Sequence, residues 1–319
     1  MTFLITGGTG FLGTYVAKQL LEQGDKVVIM SRSAPRANSM SEVLTKEQID
    51  QLTYAEGDVT DLARLIHICQ ENKVEMIIHP AGLLLADCNK NPLRAVQTNI
   101  MGTLNVFEAA RICGMKRVVW ASSNSAIGTA KNLPYEFLPN DAPHNPVTIY
   151  GKIKDFNEFM GDFYYKNYGL ETIGLRYVVI YGKGRRRGGA NYIKYMLNDP
   201  ALGIPSVVDA ADDNPNFVYV EDATRATVLA TKCEYKRNAY NITGEYINMM
   251  ELRDYVLTLL PDAKIDTIPG EMDIAWKFDT TVEEEELGYK PSVGIREGAL
   301  MTINDVRAGA GLPPVGEKK

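Results

Sequence analysis

Two rhythms of apolar and polar positions alternate along the first 180 residues. Short unbroken apolar, β-branched runs come at Thr2–Thr6 (TFLIT), Lys26–Met30 (KVVIM), Leu52–Ala55, Glu75–His79 (EMIIH) and Lys116–Ala121 (KRVVWA). Between them the apolar positions recur at helical spacing, over Thr14–Leu21, from Asp61 to about Glu71, and from Pro92 to about Cys113. Asp61 is placed to cap the second of these helices, Pro92 to open the third and Gly114 to stop it. Continuous apolar strands separated by helices predict parallel pairing with right-handed crossovers, hence a doubly wound α/β sheet. Ligands in such sheets lie beyond the carboxyl ends of the strands, so the turns after residues 6, 30, 55, 79 and 121 should border one cleft.

Residues 122–146 are rich in Ser, Asn and Pro and predict a loop. A helix is expected from about 149 to 168, stopped by Gly169, and Glu171–Tyr177 with Val178–Tyr181 should add one more strand to the sheet. After Gly182 the elements shorten and prolines interrupt them, at Pro205, Pro215, Pro261, Pro269 and Pro291. The expected division is a dinucleotide-binding region over residues 1–182 and a smaller, mixed α/β substrate lobe over 183–319. Phe217–Val220 and the helix after Glu221 are the segments expected to return to the main sheet.

Charge and composition narrow the classes. A net charge of −6 supplies no basic face for nucleic acid. No apolar run of about 20 residues would span a membrane, and no secretory signal is read at the N-terminus. The four cysteines, Cys69, Cys88, Cys113 and Cys233, show neither paired nor metal-ligand spacing, so free thiols in a cytoplasmic protein are expected, with no metal.

The first candidate chemistry is Gly7-Gly8-Thr9-Gly10-Phe11-Leu12-Gly13 between the first strand and its helix. Gly7 permits a tight turn, Gly10 lets backbone N–H groups approach a pyrophosphate, and Gly13 lets helix and sheet pack closely. The helix N-terminus adds unpaired N–H groups and partial positive charge. The second is Tyr150-Gly151-Lys152-Ile153-Lys154. Four residues apart, Tyr150 and Lys154 share a helix face. Bringing a phenol from its usual pKa near 10 toward 7 takes roughly 4 kcal/mol, which the Lys154 ammonium and an oxidised nicotinamide would supply in a water-poor cleft. Chance alone produces such a pair among 17 tyrosines; its position after the fifth strand gives it meaning. Ser122 and Ser123 stand where that strand meets the cleft, and Ser123 is the favoured partner for a substrate oxygen.

These motifs, with Gly57-Asp58-Val59-Thr60-Asp61, Thr98-Asn99-Ile100-x-Gly102-Thr103, Arg176-Tyr177 before Tyr181-Gly182, Phe217-Val218-Tyr219-Val220-x-Asp222 and Leu287-Gly288-Tyr289-x-Pro291, resemble the extended short-chain dehydrogenase/reductase superfamily over residues 2–305. The resemblance implies a Rossmann-type fold and a catalytic set of Ser123, Tyr150, Lys154 and Asn99. Tyr150 would be the acid/base, Lys154 would hold the nicotinamide ribose, and Asn99 would belong to the supporting network. It places the cofactor against Gly7, Gly10, Phe11, Leu12 and Gly13, with Asp58-Val59 at the adenine, Ala81-Gly82 along its length and Tyr177 beside it. It further implies a homodimer through a four-helix bundle formed by the helices at 92–113 and 149–168.

Departures from the pattern shape the expected function. The second strand ends Met30-Ser31-Arg32, with no acid for a ribose diol. Ser31 and Arg32, with Arg36 nearby, fit a 2′-phosphate, so NADP is expected, with NAD as the alternative. Asn124-Ser125 replaces the acid pair of related dehydratases. Val178-Val179 and Ile127 replace the asparagine and tyrosine usual in nucleotide-sugar epimerases. Lys183-Gly184-Arg185-Arg186-Arg187 lies at the mouth of the cleft, where one arginine would pair with a substrate carboxylate or phosphate; Asn124 is a further substrate candidate. The expected function is an NAD(P)-dependent oxidoreductase acting on a hydroxyl or carbonyl of a small polar substrate, a sugar or hydroxy acid. The alternatives are a nucleotide-sugar 4-epimerase with retained NAD and a non-catalytic cofactor-binding sensor. His67, His79, Asp209, Asp212, Asp213 and Glu283–Glu286 are expected to be structural or solvated. His144 is a minor substrate candidate and Trp276 a candidate lining of the smaller lobe.

Overall fold

The computed structural model describes residues 1–32, 40–131, 133–185 and 192–316. Seven parallel strands form the central sheet: β1 (Thr2–Thr6), β2 (Lys26–Ser31), β3 (Thr53–Glu56), β4 (Met76–His79), β5 (Arg117–Ser123), β6 (Glu171–Tyr177) and, much later in the chain, β10 (Ala239–Ile242). Their order across the sheet is β10-β6-β5-β4-β1-β2-β3, so the direction of winding reverses between β1 and β4. That switch point is where a doubly wound sheet opens a crevice. Leu4, Ile5, Ile77, Val118, Val119, Ile173 and Leu175 are wholly buried, as expected for strands covered by helices on both faces.

Three strands form a second sheet, ordered β11-β9-β7: β7 (Val179–Tyr181), β9 (Asn216–Tyr219) and β11 (Glu245–Tyr246). β8 (Ser206–Val208) pairs in parallel with β12 (Ile265–Thr267). Two sequence expectations are corrected by this topology. Val178–Tyr181 does not extend the main sheet: after Tyr177 the chain leaves it, and β7 pairs with β9. Phe217–Val220 likewise builds the second sheet, and the segment that returns to the main one is Ala239–Ile242, beside β6. Burial by helices makes all these short apolar runs look alike in sequence.

The local signals act as their chemistry dictates. The Asp61 carboxylate accepts from Arg64 N at 2.9 Å to start the helix Leu62–Glu71. The Thr148 hydroxyl accepts from Gly151 N at 3.0 Å to start Ile149–Tyr168, and Gly169, left-handed at φ 69°, ends it. The stretch begun by Pro92 runs as Pro92–Ala95, a π turn over Val96–Met101, and Gly102–Ile112. That one wide turn carries Asn99. β5 runs two residues further than its apolar core, so Ser122 and Ser123 belong to the strand and not to the loop after it.

Candidate active site

One cavity of about 700 Å³ lies over the switch point. Its floor is the glycine turn. Gly7 sits at φ +65°, and a Cβ on Gly13 would come within 2.6 Å of Gly7 O. Gly10 is the N-cap of Phe11–Glu22; no side chain caps that helix and its first turn holds no acid. A helix start left uncapped beside a cradle without side chains fits the diphosphate of a dinucleotide. Gly7, Gly10, Phe11, Leu12 and Gly13 line the cavity, together with Gly82 after β4 and Tyr177 at the end of β6. The Tyr177 hydroxyl is committed to Thr227, 2.7 Å away.

Ser123, Asn124, Tyr150, Lys154 and Arg185 line the same cavity. They converge because two elements press together. The helix carrying Tyr150 starts against the 3₁₀ turn Asn124–Ala126 that continues β5, so closely that a Cβ on Gly151 would lie 2.3 Å from Ser125 O. The Ser123 hydroxyl thereby reaches the Tyr150 phenol. Lys154 is buried; its ammonium donates to Ala121 O at 2.5 Å and stands 5.6 Å from the centre of the Tyr150 ring.

The electrostatics depart from the sequence expectation. Burial pushes the Tyr150 phenol up to about 12, while Ser123 and the positive charge of Arg185 pull it back. Lys154, expected to make the phenol acidic, is itself brought down to about 8 by burial. Desolvation outweighs the helical neighbour because both groups sit in the same dry cleft.

Asn99 lies beneath the cavity and not in its wall. Its side chain accepts from Leu83 N at 2.7 Å and donates to Leu83 O at 2.8 Å, which fixes the loop after β4. Its backbone oxygen accepts from Asn157 Nδ2 at 2.8 Å, tying that loop to the Tyr150 helix. Ser31, Arg32, Asp58, Val59 and Ala81 lie outside the cavity wall. The Ser31 hydroxyl is 3.2 Å from the Tyr54 hydroxyl, and Asp58 turns back to accept from Thr60 N and Oγ1, both at 2.9 Å. Arg36, Arg186 and Arg187 fall outside the described residues.

Other residues contribute, of which the sequence singles out Trp276 and Asn124 but not Met272, Ile274 or Gly128. A strap over residues 270–278 closes the far side, presenting Met272, Ile274 and Trp276 to the cavity. It hangs from Asp212, which accepts from Gly270 N at 2.9 Å, from Asp213, which accepts from Met272 N at 3.3 Å, and from Gly128 O, which accepts from Ala275 N at 2.8 Å. Asn124 donates to Ala275 O at 3.0 Å, so it braces the strap. Asp213 is therefore not a solvated surface acid: it is buried, and burial raises its pKa. Apolar residues at every second position of the strap were the available signal.

Behind Ser123 runs a buried polar network. The Ser122 hydroxyl donates to Glu158 Oε1 at 2.5 Å, and Arg176 grips the same carboxylate at 2.7–3.0 Å. His144, a minor substrate candidate, instead stands 2.7 Å from Asp155 and 4.0 Å from Glu158. Glu283, expected on a solvated helix face, is fully buried and accepts from Asn140 Nδ2 at 2.8 Å and Asn241 N at 2.7 Å. His79 is structural, 2.6 Å from Thr6 Oγ1, and burial brings it down to about 3.

A doubly wound sheet with a bare glycine cradle beside a Ser–Tyr–Lys cluster defines a dinucleotide-dependent class of protein. The comparisons agree: residues 3–243 match the model of the NAD dependent epimerase/dehydratase family, and the chain belongs to that family. A putative UDP-glucose 4-epimerase of Methanocaldococcus jannaschii is 27% identical, over 94% of this chain and 97% of that protein. Among solved structures, a UDP-glucose 4-epimerase of Thermotoga maritima with UDP-glucose superposes with a TM-score of 0.86 at 24% identity, over 97% of this chain and 100% of its own. An L-threonine dehydrogenase of Cupriavidus necator gives 0.83 at 23% identity, over 95% and 99%. Both likenesses are of fold. No helix among the described residues is long and apolar enough to cross a membrane.

Proposed function

We propose that the protein is an NAD(P)-dependent oxidoreductase that interconverts a hydroxyl and a carbonyl on a small polar substrate, with Tyr150 as acid/base. The observation that carries this reading is the convergence of Ser123, Tyr150 and Lys154 on one cavity floored by the glycine cradle. A bound nicotinamide would supply the hydride acceptor or donor. The chain's residues handle the rest. Backbone N–H groups at Phe11, Leu12 and Gly13 would hold the diphosphate, and Gly82 and Tyr177 line the same cavity. Ala81 follows the same loop, and Asp58-Val59 would flank the adenine. Ser123 holds the substrate oxygen, and Tyr150 gives it a proton or removes one. Asn99 acts by positioning the Leu83 loop. With its phenol near 12, Tyr150 enters the reaction protonated. Carbonyl reduction then needs only proton delivery, whereas alcohol oxidation needs further positive charge near the phenol first.

NADP is the cofactor favoured by Ser31-Arg32 in place of an acid, with NAD as the alternative; titration with each separates them, and equal or tighter NAD affinity removes the phosphate reading. A homodimer fits the apolar side chains left exposed on the two expected helices, among them Leu93 (69%), Met101 (50%) and Phe159 (65%). Sedimentation of wild type and Phe159→Glu tests it. A second reading, UDP-sugar 4-epimerisation, draws on the names of relatives. The two differ in net nicotinamide absorbance change, which an epimerase does not show. Tyr150→Phe should cost at least ~10²-fold in kcat while leaving cofactor affinity intact. A variant with full turnover would end the acid/base assignment.

A further inference from the structure

The loop leaving β7 carries a guanidinium into the reaction cavity. It folds over the first helix, where the Tyr15 hydroxyl donates to Lys183 O at 3.0 Å. Arg185 Nη1 donates to Ile180 O, and its guanidinium carbon lies 5.7 Å from the centre of the Phe11 ring. The side chain is half-buried and lines the same cavity as Ser123, Tyr150 and Trp276. Burial lowers its pKa to about 10 and the charge of Tyr150 counteracts this; Arg185 forms no ion pair with a carboxylate among the described residues, although Glu42 lines the same cavity. Lys154, the other cation of the described wall, uses one of its three donors on Ala121 O.

The surroundings select what this cation takes. Val178, Val179, Ile180, Met272, Ile274 and Trp276 supply apolar wall, Glu42, itself engaged, is the one carboxylate of the described wall, and there is no further cation in it. A neutral ligand would leave the guanidinium desolvated and uncompensated, which is costly. A planar fork of N–H donors matches the two oxygens of a carboxylate. Arg185 and Tyr150 line one cavity, which puts this anion site and the proton-transfer group in the same space.

We propose that Arg185 anchors a carboxylate of the substrate, so that the protein acts on a hydroxy acid and its keto form, the reacting carbon lying between Arg185 and the Tyr150 hydroxyl. This rests on the hydride-transfer reading above. The competing source of the same anion chemistry is the cofactor diphosphate, because Phe11 belongs to the glycine turn.

Two tryptophans report the test, Trp276 in the cavity wall and Trp120 buried in the sheet. Trp120→Phe leaves Trp276 as the sole emitter. In that background, loaded with NADP or NAD, the probes are glycerate, 3-hydroxybutyrate and glucuronate, each against its neutral primary amide. We expect at least one acid to change the emission saturably and its amide to bind roughly 10- to 100-fold more weakly. Arg185→Met should abolish that preference and Arg185→Lys should restore part of it, while cofactor Kd changes less than twofold and the melting temperature holds. Acids and amides binding alike, or none binding, overturns the carboxylate site. Loss of cofactor affinity in Arg185→Met with the acid preference retained assigns the anion to the cofactor and also overturns it. Full turnover in Tyr150→Phe with the acid preference intact would sink only the hydride-transfer reading.

Discussion

Gly151 lies where the helix carrying Tyr150 meets the turn that follows Ser123, and its missing side chain sets the positions of those two residues. A Cβ there would lie 2.3 Å from Ser125 O and 3.0 Å from Pro146 Cβ, against the 3.4 Å at which ordinary contact begins. Gly151→Ala therefore needs about 1.1 Å of separation between the Tyr150 helix and the turn after β5, and the nearest obstacle is backbone that cannot rotate away. Overpacking of this kind costs about 1–3 kcal/mol. Alanine's better helix propensity returns up to about 1 kcal/mol. With the full return the expected net is a loss of up to about 2 kcal/mol, read as a lower urea midpoint. Catalysis should suffer more than stability, because displacement of a reacting group by about 1 Å costs on the order of 10²-fold. Gly309→Ala is the control: it lies in a helix with nothing within 4 Å of its Cβ, so it should be neutral or stabilising. Urea unfolding of the three proteins and turnover on any substrate found by the acid panel decide the matter. Gly151→Ala with wild-type stability and turnover would refute the claim that this contact sets the Ser123–Tyr150 geometry.

The buried network behind Ser123 and the titrating side chains yield further predictions. Glu158→Gln leaves the Arg176 guanidinium buried without its charge partner and should cost about 3–5 kcal/mol, measured by urea unfolding; a loss under 1 kcal/mol would show that water reaches Arg176. Lys154 is held near 8 by burial, below its value in the unfolded chain. Between those values the unfolded state binds more protons, so stability rises with pH there, by up to roughly 3 kcal/mol. Wild type should therefore gain on Lys154→Met between pH 7 and 9.5, and a constant difference would refute the desolvation. Burial raises the pKa of Glu283, whose Oε2 has no hydrogen-bond partner. Its penalty is fully present above the folded pKa and fades as pH falls through it, so Glu283→Gln should gain about 1 kcal/mol on wild type at pH 8 and lose that advantage near pH 5.

Much of the first half of the fold was legible because β1, β2 and β4 are short, largely apolar runs and several helices carry their own start or stop, as at Asp61, Thr148 and Gly169. The later sheets were not, because β7, β9 and β10 are three- or four-residue runs that look alike whichever sheet they join. The site divides in the same way. Spacing put Tyr150 and Lys154 on one face, but what each ionises like depends first on burial in the cleft and, for Tyr150, on Ser123 and Arg185, which spacing along a helix does not reveal. Asp213 and Glu283 read as surface acids because their neighbours in sequence are polar. Their donors, Met272 N, Asn140 and Asn241, lie 59, 143 and 42 residues away.

The strap over residues 270–278 is tethered chiefly through its own backbone, by Asp212, Gly128 O, Asn124 and Asn216, while Met272, Ile274 and Trp276 face the cavity. Those three identities are thus decoupled from the anchoring that holds the segment in place. New shapes of ligand can be admitted by exchanging wall side chains alone, leaving the proton-handling machinery untouched.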